Sequence, residues 1–224
     1  MSNDDARARL LRAAGPVFAD KGFQAATVRE ICQQAEVNIA AVNYHFGDKE
    51  QLYVETIKNA HHQRAAEVPG PQWPPNTPPA QKLRDFVRVL ATRMLSTPDD
   101  AWQPRLMLRE VLQPTKACEE LVRDYFRPLF NQLLEILDEI LPPEAPLHRR
   151  YQIGFSVIGQ CLHYRVARKA VSMLVDGAVR DQHFQVEQLA EHIAEFTLAA
   201  LGCVPPLAGQ GGASAECAAG AIQR

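Results

Sequence analysis

The chain has 224 residues, 46% of them hydrophobic, enough for a sizeable core in one or two domains. No apolar run approaches the ~18 residues of a membrane span, and the opening MSNDDARARLLRAA has no continuous apolar region, so neither a membrane helix nor a secretory leader is expected. Twenty-four basic against 26 acidic residues leave a formal charge of −2, which favours no particular partner by itself.

The apolar residues recur almost everywhere at helical spacing, with no alternating strand run and no Asn-Gly hairpin signal, so the expected fold is all-α. A first helix runs from about residue 4, with Leu11, Ala14 and Phe18 on one face, and ends at Asp20-Lys21-Gly22. Thr27-Val28-Arg29-Glu30 has the form of a capping box: the Thr27 hydroxyl can accept from the Glu30 N–H while the Glu30 carboxylate reaches back to the Thr27 N–H. It opens a short helix that turns Val28, Ile31 and Cys32 inward. Ala35-Glu36-Val37 is a tight connection, Asn38 can cap a second short helix over 38–44, and Asp48 with Gln51 can start a third. Two short helices joined by about three residues form a helix-turn-helix, whose second helix would read DNA. A small helical hairpin without that role has the same spacing.

Val68–Pro79 (VPGPQWPPNTPP) holds six prolines and cannot be one helix. It divides the chain into an N-terminal three-helix unit with its connecting helix (1–67), a Pro-rich linker (68–79) and a larger helical unit (80–203). The Gly/Ala-rich residues 204–224 offer little to bury and are expected to be disordered. In the larger unit Leu83, Phe86, Val87, Leu90 and Met94 share a face, and Leu121, Tyr125, Leu129, Leu133, Ile136 and Ile140 form a longer stripe. A helix around 146–171 is apolar on most sides (Val157, Ile158, Cys161, Leu162, Val166), with Gly154 and Gly159 permitting close approach. It also carries a small or polar stripe, Ser156, Gln160, His163 and Ala167. That stripe can pack across a two-fold axis with the helix over 185–201, line a pocket, or be core. Arg109 and Glu110 have the form of a surface or structural ion pair, and His61-His62 of a solvated pair.

Five scattered cysteines (32, 118, 161, 203 and 217) point to reduced thiols in a cytoplasmic protein. Cys161 and His163 could form a metal pair, but no further ligand stands at a usual spacing. No nucleophile–base signature, phosphate loop or ligand cluster appears. Neither catalysis nor a metal nor another cofactor is expected.

The segment from Phe18 to Leu52 resembles the DNA-binding domain of the TetR family of bacterial transcriptional regulators. Phe18, Gly22, Phe23, Thr27, Ile31, Ala35, Val37, Phe46, Lys49, Glu50 and Leu52 stand in register with the family's pattern. The chain departs from it at Glu36, where Gly is usual, and at Asn38, Ala40 and Asn43, where Ser, Gly and Tyr are common. A Glu36 in left-handed conformation would cost roughly 1–2 kcal/mol. The resemblance implies that Arg29, Ile39, Ala40 and Asn43 face base edges and that Thr27, Tyr44, His45 and Lys49 meet phosphates, with Val42 and Phe46 in the core. It also implies a palindromic double-stranded DNA operator, a small-molecule effector and a homodimer. The chemistry agrees: Asn43 can pair bidentately with adenine, Ile39 and Ala40 can meet thymine methyls, and Lys49 lies at a helix start where a phosphate is favoured. Residues 1–50 hold six basic and seven acidic groups, so a basic face requires the acids to turn away.

Trp102, Leu106, Arg109, Glu110, Pro114, Arg127, Pro128, the run Gly159–Leu162 with Tyr164-Arg165, and His192-Ile193 with Phe196–Leu198 resemble the C-terminal domain of the CecR-type branch. That resemblance implies a repressor released by a hydrophobic or antimicrobial-like effector. Met94, Trp102, Met107, Arg109, Tyr125, Phe155, Gln160 and His163 are candidates to line its pocket. Gln160, His163, Ala167, His192 and Phe196 are candidates for the dimer interface.

Overall fold

The computed structural model describes residues 3–96, 98 and 101–206, which are helical with no strand. In chain order the helices are α1 (Asn3–Ala25), α2 (Val28–Ala35), α3 (Ala40–Phe46), α4 (Lys49–Glu67), α5 (Pro79–Leu95), α6 (Trp102–Leu112), α7 (Ala117–Leu121), α8 (Arg127–Ile140), α9 (Leu147–Val166), α10 (Arg168–Leu174), α11 (Gly177–His183) and α12 (Val186–Ala200). A single π turn, Val122–Phe126, joins α7 to α8 without a break in helical backbone. Of the tail expected to be disordered, residues 207–224 lie outside the described residues.

Two apolar cores hold the chain together. The first gathers Leu10, Phe18, Ile31, Val42, Phe46, Leu52, Tyr53 and Ile57 from α1–α4, and also Leu106, Ala117 and Leu121 from α6 and α7. The second gathers Leu83, Phe86, Leu90, Leu133, Ile136, Val157, Cys161, Ile193 and Leu198 from α5, α8, α9 and α12. Burying each such Leu, Ile or Phe contributes about 1.5–3 kcal/mol. The cores therefore divide in space where the sequence does not: α6 and α7 follow the Pro-rich segment yet pack against the first unit. That segment is itself pinned at its start and its middle. Arg64 donates to the carbonyls of Thr92 (2.6 Å) and Arg93 (3.0 Å), Arg93 donates to the Val68 carbonyl (2.8 Å), and the Trp73 indole donates to Asp85 (3.3 Å).

Four local expectations need correction. The capping box is half formed: Glu30 N–H donates to the Thr27 hydroxyl (3.2 Å), but the Glu30 carboxylate is drawn to Lys21 at 2.7 Å instead of returning to Thr27. The stripe from Leu121 to Ile140 is not one face, because the π turn inserts a residue into the helical repeat. Leu121 consequently goes to the first core, and Leu133 and Ile136 to the second. The helix around 146–171 ends at Val166, where Ala167 leaves helical ψ before α10. Within the chain α9 buries only the face of Gly154, Val157 and Cys161. A Cβ at Gly154 would stand 2.7 Å from Phe130, so that glycine does permit close approach, whereas Gly159 meets nothing.

Candidate nucleic-acid interface and effector cavity

The α2–α3 pair is built by local chemistry. Thr27 caps α2, and Glu36 ends it in the left-handed region (φ 52°, ψ 46°) with its N–H on the Gln33 and Cys32 carbonyls. Arg9 donates to the Glu36 carbonyl (2.7 Å) and holds the turn. The Asn38 side chain accepts from the Ala40 N–H (2.9 Å) and starts α3. Gly47, at φ 83°, closes α3, and Asp48 caps α4 by accepting from Gln51 (2.8 Å). Val42 is fully buried and Phe46 is 7% exposed, with the Arg7 guanidinium 5.3 Å from its ring. Val42 and Phe46 therefore fix α3 to the core.

What α3 leaves outside is the expected reading face. Ile39, Ala40 and Asn43 are exposed, and Tyr44 is 73% exposed with its ring edge-on to His45. Arg29 and Thr27 are exposed on α2 and its cap. Lys49 is partly covered: its ammonium lies 4.7 Å over the Phe23 ring and donates to the Gln24 carbonyl at 3.3 Å, beside the N-terminus of α4. All eight residues assigned to DNA by resemblance thus lie on α2, α3 and the start of α4 or at their caps. Several nearby acids are engaged elsewhere. Asp20 pairs with Arg105 (2.6 Å), Glu50 with Lys116 (3.3 Å), Glu30 with Lys21 and Glu55 with Arg7 (2.7 Å).

The eight residues considered for an effector pocket do not converge. Met94 and Met107 line one cavity of about 170 Å3 among α4, α5, α6, the π turn, α8 and α9. Trp102 instead packs on Gly15 of α1, and Arg109 donates to the Asp20 carbonyl (3.1 Å). Tyr125 stacks on His61 with ring centroids 4.0 Å apart and bonds the His62 ring (3.0 Å). Phe155 is 64% exposed and stacks on Phe130. Gln160, half-buried, lines an open groove with Phe196, while His163 is exposed. Gln160, His163, Phe155, Val166, His192 and Phe196 all lie on the outward surfaces of α9 and α12, and Ala167 is half-buried at the end of α9. Cys161 is buried, its thiol pushed up to about 12 by desolvation, while His163 points outward, so the two do not share a metal. Among the described residues no three His, Cys, Asp or Glu gather as a metal site, and no helix is long and apolar enough to cross a membrane.

Two groups have roles that sequence reasoning missed. Glu110 is fully buried and is no partner of Arg109. It accepts from the Tyr53 hydroxyl (2.8 Å), the Thr115 N–H (2.6 Å) and the Thr115 hydroxyl (2.9 Å), which ties α6 to α4. Burial and this carboxylate push the Tyr53 hydroxyl upward, so it remains a donor. His61 is not a solvated surface residue: it lines the cavity, its Nδ1 is buried without a hydrogen-bond partner, and burial, helped by Arg93 and His62, lowers it to about 4. Helical period would have put His61 on the α4 face of Tyr53, Val54 and Ile57, the one signal available.

Comparison with known proteins follows this division. Residues 79–201 match the family described as the C-terminal domain of the HTH-type transcriptional dual regulator CecR, and residues 10–56 match the bacterial regulatory proteins of the tetR family. The chain is 29% identical over 185 residues to the HTH-type transcriptional dual regulator CecR of Shigella flexneri, covering 76% of this chain and 80% of that protein. Over 53 residues it is 38% identical to the transcriptional repressor KstR2 of Mycolicibacterium smegmatis, 24% of this chain and 26% of that one. Among solved structures, a transcriptional regulator from Rhodococcus sp. Rha1 shares the fold with a TM-score of 0.61 at 19% identity, covering 92% of this chain and 100% of that one. A mutant of HlyIIR does so with a TM-score of 0.57 at 23% identity, covering 87% and 97%.

Proposed function

The chain belongs to the TetR family of bacterial transcriptional regulators, in the group with the CecR-type C-terminal domain, and from that premise we propose that it is a homodimeric repressor released from a palindromic operator by a small apolar effector. The exposed face of α3 carries the reading. Ile39, Ala40 and Asn43 stand clear of the core that Val42 and Phe46 anchor, which is what base contact by a recognition helix requires. Thr27, Tyr44, His45 and Lys49 flank it as phosphate contacts, and Arg29 joins the base-facing set.

Dimerisation through α9 and α12 is supported by their outward apolar residues, Phe155 and Val166 near His163 on α9 and Phe196 near His192 on α12. Effector action is supported by the position of the cavity. Its lining draws on α4, which begins in the DNA-binding unit, and on α6, whose other faces hold Asp20 and Tyr53. Two recognition helices must stand about 34–36 Å apart to enter successive major grooves. An effector that favours another spacing releases DNA by no more than its differential affinity for the two states.

Selection of bound fragments from random and genomic DNA tests the reading. Recovery of one palindromic site, bound by two chains, is the expected result. Enrichment of no sequence would leave a helical interaction protein whose helix-turn-helix does not read DNA.

A further inference from the structure

At about 170 Å3 the cavity is close in size to an engineered protein cavity of roughly 150 Å3 that holds one benzene. It takes one ring with a small substituent. Its wall is mainly apolar, with Leu90, Met94, Met107, Phe126, Leu129 and Leu162. Two polar groups in that wall are short of partners. The first is Arg93. Arg64, beside it, spends every guanidinium nitrogen: Nε on the Arg93 carbonyl, Nη1 on Glu67, and Nη2 on the Thr92 carbonyl and the Ser96 hydroxyl. Arg165 is partnered as well. Arg93 makes one side-chain hydrogen bond, from Nε to the Val68 carbonyl (2.8 Å), and among the described residues no carboxylate stands in ion-pair range of it. Burial and the like charge of Arg64 hold this guanidinium below the ordinary arginine pKa. A half-buried cation without a counter-charge is costly. The second group is His61, whose Nδ1 is buried without a partner on a ring that stays neutral at physiological pH. A neutral imidazole carries one N–H. On Nδ1 that proton would be a stranded donor, rarer in proteins than an unsatisfied acceptor, so it stands on Nε2. After burial, the Arg93 charge is the next cause of the lowered His61, so the two groups share one neighbourhood.

On the reading that this cavity is the effector site, we propose that the effector is a compact carboxylate about one ring in size, its body against Met94, Met107 and Leu129 and its carboxylate accepting from the Arg93 guanidinium and His61 Nε2. A neutral molecule of the same shape would fill the cavity and leave Arg93 without a counter-charge. An inorganic anion would meet Arg93 and leave the apolar wall bare. A compact carboxylate satisfies both.

Calorimetric titration of the full chain at neutral pH with benzoate and with benzamide, its uncharged counterpart of the same shape, tests this. Benzoate should bind roughly tenfold more tightly, because hydrogen bonds to a charged group are the stronger kind. Arg93→Met should abolish that margin and leave benzamide affinity unchanged. Arg93 also holds the Val68 carbonyl, so its loss could loosen the Pro-rich segment. Arg93→Lys separates the two roles: it lacks the Nε donor but keeps the charge, and should retain most of the margin. His61→Phe keeps a ring beside Tyr125 and removes the N–H, and should shrink the margin roughly threefold. Equal affinity for acid and amide, a margin that survives Arg93→Met or His61→Phe, equal losses in Arg93→Lys and Arg93→Met, or no binding of benzoate would overturn the proposal. Operator binding on the same proteins separates it from the regulator reading. Benzoate binding with the expected margin but without release of DNA would uphold the ligand class and strike effector action, and failure to recognise DNA without ligand would strike the reading alone.

Discussion

Asn43 was placed outward by the resemblance to the family, and the structure leaves it exposed between buried Val42 and Phe46. Asn43→Ala should cost about 1–3 kcal/mol of operator affinity and relax preference at one base pair, whereas Lys49→Ala should weaken specific and random DNA alike and lower the salt slope by about 1. Anisotropy titrations on the selected site and on scrambled DNA at two salt concentrations check both. His61 was misread as solvated: the period of α4 sets it on the face of Tyr53, Val54 and Ile57, but nothing in the sequence showed what would cover that end of the helix. Its partner comes from residue 125, in a π turn that no local pattern announced. Its consequence is a pH dependence. The ring titrates near 6.5 when unfolded and near 4 when folded, so the unfolded chain binds the extra proton between these values. The stabilisation is present above pH 6.5 and is lost as pH falls toward 4. The loss should be about 1–2 kcal/mol, less than the full shift implies because solvent partly screens the ring. Urea unfolding at neutral and mildly acidic pH should show it, and His61→Gln should flatten it.

Helices whose stability is mainly local were readable, and those shaped by long-range packing were not. Thr27, Asn38 and Asp48 each accept a backbone N–H at a helix start, as side-chain chemistry alone dictates. The other half of the capping box failed because a distant lysine, Lys21, competes for Glu30. Likewise α9 ends at Val166 although apolar spacing continues, since spacing records which residues want burial and not where backbone leaves the helix. Glu36 was legible in both respects: the missing Gly implied a left-handed residue, and φ is 52°. An exposed Glu there forms only a 3.5 Å contact with Arg9, which contributes little. Relief of the left-handed penalty, about 1–2 kcal/mol, should exceed the roughly 0.4–1 kcal/mol of added unfolded-state entropy that glycine brings. Glu36→Gly should therefore stabilise the chain by about 0.5–1 kcal/mol, read as a higher urea midpoint with an unchanged slope.

Across the whole molecule the Pro-rich segment was a reliable mark of a change in chain direction and a poor mark of where one core stops. Proline reports only that helix cannot continue, while core membership is decided by which faces meet. Trp102, Leu106 and Leu121 come after the segment and still pack with α1–α4. The buried carboxylate at the centre of that contact explains why α6 is held there as well as buried. Among the described residues Glu110 has no cationic partner in hydrogen-bond range, and it accepts from three donors, one of which crosses to α4 through Tyr53. Its neighbours Phe18 and Phe23 pack edge-on and tilted against Tyr53, with Phe23 lying beneath Lys49. A displacement of α6 by an effector would thus reach the start of α4 through directly touching groups. Tyr53→Phe keeps this ring packing and deletes one donor to a buried charge, so it should destabilise the chain by about 1.5–3 kcal/mol, the range for hydrogen bonds to charged groups. Thr115→Val, which removes the hydroxyl and leaves the N–H donor, should cost less. Equilibrium urea unfolding of the two variants beside the parent measures both, and a Tyr53→Phe loss under about 0.5 kcal/mol, the size of an ordinary surface substitution, would mean that α6 is held to α4 by apolar contact alone.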